Sequence, residues 1–248
     1  MGTSKGYGMP TGGDWTPLKN EATRFVKNVG GSGSGNDSLG SVERLVSRFT
    51  SMYSTKRGAG KTGGGISSAS ARRVGASLGR FLSDVAATGL DEGLRKNGLT
   101  DLIGKAAGEV ISGILDALVG PASTLDDEAA RTALAELESE LLEGADTYED
   151  VDESLKQRLE ADGVLSIVVK FFAKCIYRQF CVHFYEEWQK KVGAPQATSK
   201  LNEVKNYIFL RSENLVNDGS YNKWDGRDGE RLSQRILDEI IDIYGVNE

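Results

Sequence analysis

The spacing most suggestive of chemistry in this chain is GAGKTG, from Gly58 to Gly63. Glycines placed this way before Lys and Thr are used where backbone N–H groups wrap phosphates. The pattern is incomplete. A P-loop needs glycine at position 55, which is Thr55 here, and both nucleotide fingerprints need a buried strand delivering the glycines to a helix. An amphipathic helical pattern precedes them instead, so the segment reads as a flexible basic linker. His183 is the only histidine. It lies two residues past Cys181, on a different side of a helix, so no metal-ligand set forms around it and it reads as a packed or half-exposed side chain. Cys175 and Cys181 are six residues apart on a predicted helix, about 9 Å of rise, too far for a disulfide. They read as reduced core cysteines. The neighbouring acids Asp126 and Asp127, and Glu186 and Glu187, fall at cap or surface positions where solvation is expected in place of general acid–base work. No catalytic residue and no metal site is assigned, and the chain is expected not to be an enzyme.

Two groups remain that could meet a partner. Lys56, Arg57 and Lys61 stand close in sequence to Arg72, Arg73 and Arg80, a cationic set able to contact phosphates or an acidic partner. Tyr53 is its only close aromatic, and no helix-turn-helix or zinc pattern accompanies it. The other group is the extreme N-terminus. Gly2 is small enough for an aminopeptidase to remove Met1, and TSKGYGMPTGG would carry the exposed amine on slender chain. Gly6 breaks the myristoylation pattern, which wants Ser or Thr there. On residue chemistry alone this is a frayed terminus.

The elements that must carry these residues are helical. Glycine totals 31, and 15 of these precede Ile66, where aliphatic residues are too sparse to offset the entropy of ordering the chain. Residues 1–40 are expected to be a flexible Gly-rich arm with a short helix near Glu21 to Val29. Residues 41–66 are read as an amphipathic helix (Val42, Leu45, Val46, Phe49, Met52) followed by the basic linker, and residues 67–248 as a helical bundle domain.

Within that last part, Val74 to Val85 and Ile103 to Leu118 form helical stripes, the second ended by Gly120 and Pro121. Thr124 with Asp127, and Thr147 with Asp150, resemble capping boxes in which the acid is one carbon short. Val164 to Lys191 is apolar nearly all round and is expected to be the central helix. Helices from about Leu201 to Leu215 and Glu230 to Tyr244 follow. The small-residue pairs Gly75/Gly79 and Gly104/Gly108 are read as sites of close helix approach. The fold class is therefore all-α, a multi-helix bundle with a disordered Gly-rich N-terminal arm.

Charge is polarised. Residues 1–80 carry 12 Lys and Arg against 4 Asp and Glu, and the remainder 18 against 32. Such a chain can offer its basic part to nucleic acid or to an acidic partner, or fold it against its own acidic body. The most apolar stretch, VLSIVVKFFAKCIY from Val164, is broken by Lys170 and Lys174, and no secretory segment follows Met1. No membrane span and a cytoplasmic location are expected.

The MGTS start, the TGGG-type linker at Lys61 to Gly65 running into SARRVG at Ser70 to Gly75, and LLEGADTYEDV at Leu141 to Val151 resemble the QatB family of bacterial Qat anti-phage defence operons. DWTPLK, Asp14 to Lys19, stands in place of a longer proline-rich run. The resemblance implies partners: a QueC-like enzyme (QatC-type), an ATPase and a TatD-like nuclease. It implies that this chain has no cofactor of its own and is a substrate of the QueC-like enzyme. That enzyme would use ATP, with zinc as a further candidate cofactor, to join a carboxylated deazaguanine through an amide to the N-terminal glycine. The matching position is Gly2, with Thr3, Ser4 and Gly6 passing through the enzyme's entrance. The alternative is a scaffold, or a subunit binding nucleic acid or the ATPase through the basic arm, Lys56, Arg57, Lys61, Arg72 and Arg73, without conjugation.

Overall fold

The computed structural model describes residues 15–27, 35–52, 66–121, 124–217 and 229–244. Among them the chain forms nine α-helices and no strand: α1 Trp15–Lys27, α2 Gly35–Thr50, α3 Ala69–Thr88, α4 Leu90–Lys96, α5 Ala107–Val119, α6 Leu125–Leu141, α7 Tyr148–Val192, α8 Ala194–Asn217 and α9 Gly229–Ile243, with a 3-10 turn at Thr100–Leu102 before α5. The all-α class follows from the sequence because apolar residues recur at helical spacing throughout and strand alternation is never sustained.

The second part of α7 is the axis. Val168, Phe171, Phe172, Ile176, Phe180, Phe184 and Trp188 are all essentially inaccessible, and α1, α3, α5, α6, α8 and α9 each pack on α7. A helix with so wide an apolar surface must be covered on several sides, and this one is, except at Val182 and Tyr185 near its end. Lys174 interrupts its apolar run yet is buried, because Glu140 of α6 accepts its ammonium at 2.5 Å and the Phe209 ring lies 5.7 Å beneath it. Both predicted capping boxes are present: Thr124 and Thr147 each accept the backbone N–H three residues on, and Asp127 and Asp150 accept theirs in return. The N-terminal piece of α7 ends at Gly163, whose φ of 73° and ψ of 161° break the helix before the apolar part begins.

Several expectations are corrected. The arm assigned to residues 1–40 contains α1, which starts at Trp15 instead of near Glu21 and buries Trp15, Leu18, Ala22, Phe25 and Val26. The buried residues of α1, of α2 and of the bundle form one continuous core, so the divisions at 40 and 66 do not separate units. Gly104 sits at φ 72° in the turn before α5, and neither Gly104 nor Gly108 has any atom within 4 Å of an added Cβ, so that pair permits no close approach. Gly75 and Gly79, by contrast, are buried on α3.

Candidate functional site

The features nearest to function converge on one turn of α7. Trp15, the first described residue after the arm, is 2% exposed, and its ring lies 4.9 Å from that of His183. Phe49 of α2 packs on Phe180 at 5.0 Å and on His183 at 6.2 Å, and Phe25 of α1 meets Trp188 at 5.7 Å. Burial pushes the His183 imidazole down to about 4, so it is neutral at pH 7 and serves as a ring in an aromatic cluster. This is the packed histidine expected from sequence. It clamps the root of the arm.

One turn earlier on α7, Gln179 joins a second root. Met52 and Ile66 are both buried, and the Ile66 N–H donates to the Met52 carbonyl at 2.9 Å. The described chain therefore stops at Met52 and resumes at Ile66 at one point of the body; residues 53–65 lie outside the described residues. Beyond it, Asp126 accepts from Ser67 Oγ at 3.0 Å, from the Ser70 backbone N–H at 2.9 Å and from Gln179 Nε2 at 3.3 Å. Asp127 accepts from Ser70 Oγ at 2.6 Å and from Arg73 Nη2 at 3.3 Å. Both carboxylates are buried, where the sequence suggested solvated positions. Asp127 is a cap, as read; Asp126 ties α3 to α6 and α7.

GAGKTG lies outside the described residues, and α3 begins at Ala69, seven residues after Thr62; at its first turn the Ser70 N–H is already taken by the Asp126 carboxylate. A second anion beside it would meet like charge.

Of the residues nominated from sequence, Gly2, Thr3, Ser4, Gly6, Lys56, Arg57 and Lys61 lie outside the described residues. Arg72 and Arg73 are on the first turn of α3. Arg73 donates to the Val119 carbonyl at 2.7 Å and pairs with Asp127, so it braces the end of α5 against the start of α6, and its side chain still remains 49% exposed. Arg72 is half-buried. Among the described residues no group of His, Cys, Asp and Glu is arranged to hold a metal. Cys175 and Cys181 are free thiols, both shifted upward by burial and so poor nucleophiles at pH 7.

The surface clefts are modest. One of about 320 Å³ between α6, α7 and α8 is lined by Glu140, Arg158, Lys170 and Phe209, and Lys170 pairs with Glu140 at 2.9 Å across it. Another of about 320 Å³ lies beside the arm root, between Lys19 and Thr23 of α1 and Glu187 and Lys191 of α7, where Lys191 donates to Thr23 at 2.9 Å. In both, the charged groups mostly satisfy one another.

Sequence reasoning missed Asp126 and Trp15. Asp126 acts through partners 53 to 59 residues away, which no local pattern reports. Trp15 did carry a signal: a Trp followed three residues later by Leu18 begins the apolar stripe of α1.

Among the described residues the protein is all-α and built on one central helix, which meets Trp15 through His183 and the start of α6 through Gln179. The sequence model of the Qat anti-phage system associated protein QatB matches residues 59–244, three quarters of the chain. The chain belongs to the QatB family and is a component of a multi-part anti-phage defence system. No curated protein and no solved structure matches it. No helix among the described residues is long and apolar enough to cross a membrane.

Proposed function

We propose that this chain is a non-enzymatic partner and substrate of the QueC-like enzyme of its system, conjugated at Gly2. The observation that carries the reading is the family membership of the helical body. The anchoring of Trp15 supports it: the body holds the root of the arm in a rigid aromatic cluster and leaves residues 1–14 ahead of it. Extended, residues 2–14 span up to about 45 Å, enough to enter a deep active site while the body stays outside.

The chemistry is amide formation. ATP converts the carboxylate of a carboxylated deazaguanine into an activated acyl group. The α-amine of Gly2, released by loss of Met1, attacks the acyl carbon; the N–C bond forms, the bond to the phosphate oxygen breaks, and the amine gives up a proton. An α-amine with pKa near 8 is available as a nucleophile at cellular pH, and glycine offers no side chain to hinder the approach. Thr3, Ser4 and Gly6 would line the path of entry. This chain contributes no cofactor; ATP, and zinc if used, belong to the enzyme.

The second reading is a scaffold that binds nucleic acid or the system's ATPase through Lys56, Arg57, Lys61, Arg72 and Arg73. It is favoured by the exposure of Arg73, whose side chain remains 49% accessible while paired with Asp127. A phage challenge separates the two. Under the conjugation reading, Gly2→Pro abolishes protection, while Arg72→Ala retains it. Protection that survives Gly2→Pro and is lost with Arg72→Ala supports the scaffold instead.

A further inference from the structure

We infer that the exposed apolar strip on the last third of α7, centred on Val182 and Tyr185, is the surface on which the enzyme that modifies Gly2 docks; this rests on the conjugation reading above. Val182 and Tyr185 are 40% and 38% exposed, unusual for large apolar residues in a helix otherwise wrapped by its neighbours. They stand at i and i+3, side by side on one face. Half-buried Cys181 and Tyr177 continue the strip toward α8, where Lys205 lies 5.9 Å from the Tyr177 ring.

The exposure has a structural origin. α6 places Asp126 against Gln179 and then passes Lys174 and Lys170 through Glu140, so its course leads away from the end of α7. Beyond Gln179 this face of α7 loses its cover.

The location of the strip indicates what occupies it. His183, which holds the arm root, follows Val182 directly, and Gln179, which joins the loop root, is three residues before it. A partner that grips the arm close to Trp15 comes to this end of the molecule. The chain's own loop 53–65 is a poor cover, because STKRGAGKTGGG supplies only Ala59 beside the neighbouring Tyr53 as apolar material. A second copy is also a poor match: two partly exposed side chains fall well short of the roughly 800 Å² per partner that a standard interface buries. A partner that already holds the arm needs only such a small second contact, because the tether raises the effective concentration of the patch.

The experiment follows Gly2 adduct formation by intact mass, using the full chain, the QueC-like enzyme of the same system, ATP and the carboxylated deazaguanine. Val182→Asp with Tyr185→Asp is compared with wild type and with Leu210→Asp, which alters a 61% exposed residue of α8. All three positions are exposed, and matching urea midpoints confirm folding. The docking surface predicts a KM for the chain raised about tenfold or more in the double variant, with kcat retained, and no change for Leu210→Asp. An unchanged KM in the double variant overturns the docking surface while leaving Gly2 conjugation standing. Absence of any adduct on the wild-type chain overturns the conjugation reading and this inference with it.

Discussion

Asp126 accepts three hydrogen bonds, two from the start of α3 and one from α7, so its removal leaves Ser67, Ser70 and Gln179 facing a void. Hydrogen bonds to a charged acceptor contribute about 1.5–3 kcal/mol each when lost singly, and losses from one site do not add fully. Asp126→Ala should destabilise the fold by about 2–4 kcal/mol in urea unfolding, and Asp126→Asn by less.

Glu138 behaves in the opposite sense. Burial pushes its carboxyl up to about 8, with Arg131 opposing and Asp116 reinforcing, and its Oε1 has no hydrogen-bond partner. The unfolded chain loses this proton near 4.5 while the folded chain keeps it to about 8. Folding thus retains a proton that unfolding releases, so the Glu138 contribution to stability falls progressively from pH 4.5 to 8 and is level above that. Glu138→Gln should flatten this part of the stability–pH curve and raise stability at pH 8 by on the order of a few kcal/mol. An unchanged slope between pH 5 and 8 would contradict the assignment. Neither residue was legible in sequence, since an acid on an amphipathic helix reads as solvated until its tertiary neighbours are known.

At the scale of elements, the capping boxes at Thr124 and Thr147 were legible because their chemistry is local, three residues from donor to acceptor. Helix starts near proline were not. α1 begins before Glu21 and α8 before Leu201, and Pro17 and Pro195 lie in their first turns, where the missing N–H has no intrahelical partner to lose. The start of the central helix at Val164 was legible, and the break that precedes it falls on Gly163, although periodicity does not announce the positive φ there. At φ 73° and ψ 161° the position is close to glycine-only, with nothing near enough to obstruct a Cβ. Gly163→Ala should therefore cost about 1–3 kcal/mol through backbone strain alone. A thermal midpoint equal to wild type would show that the two parts of α7 can realign without penalty.

For the whole molecule, the helical class and the central helix were readable from composition and periodicity, whereas the unity of the core was not. A glycine-rich stretch between apolar helices looks the same in sequence whether its ends diverge or meet. Only the Met52–Ile66 hydrogen bond shows that they meet. Deletion of residues 1–14 should leave the urea midpoint unmoved, while deletion through Lys27 removes five buried residues of the core and should lower it markedly. The first deletion should nevertheless abolish phage protection, since it removes Gly2 and leaves the new terminal amine beside buried Trp15 with no reach.

The central claim, that Gly2 is the acceptor, is met most directly by mass spectrometry of the chain purified from cells expressing the whole operon. The expected result is an N-terminal peptide that has lost Met1 and gained the mass of one deazaguanine acyl group, with fragment ions placing it on Gly2. An N-terminal peptide bearing only the free amine, from cells that resist phage, would contradict the account.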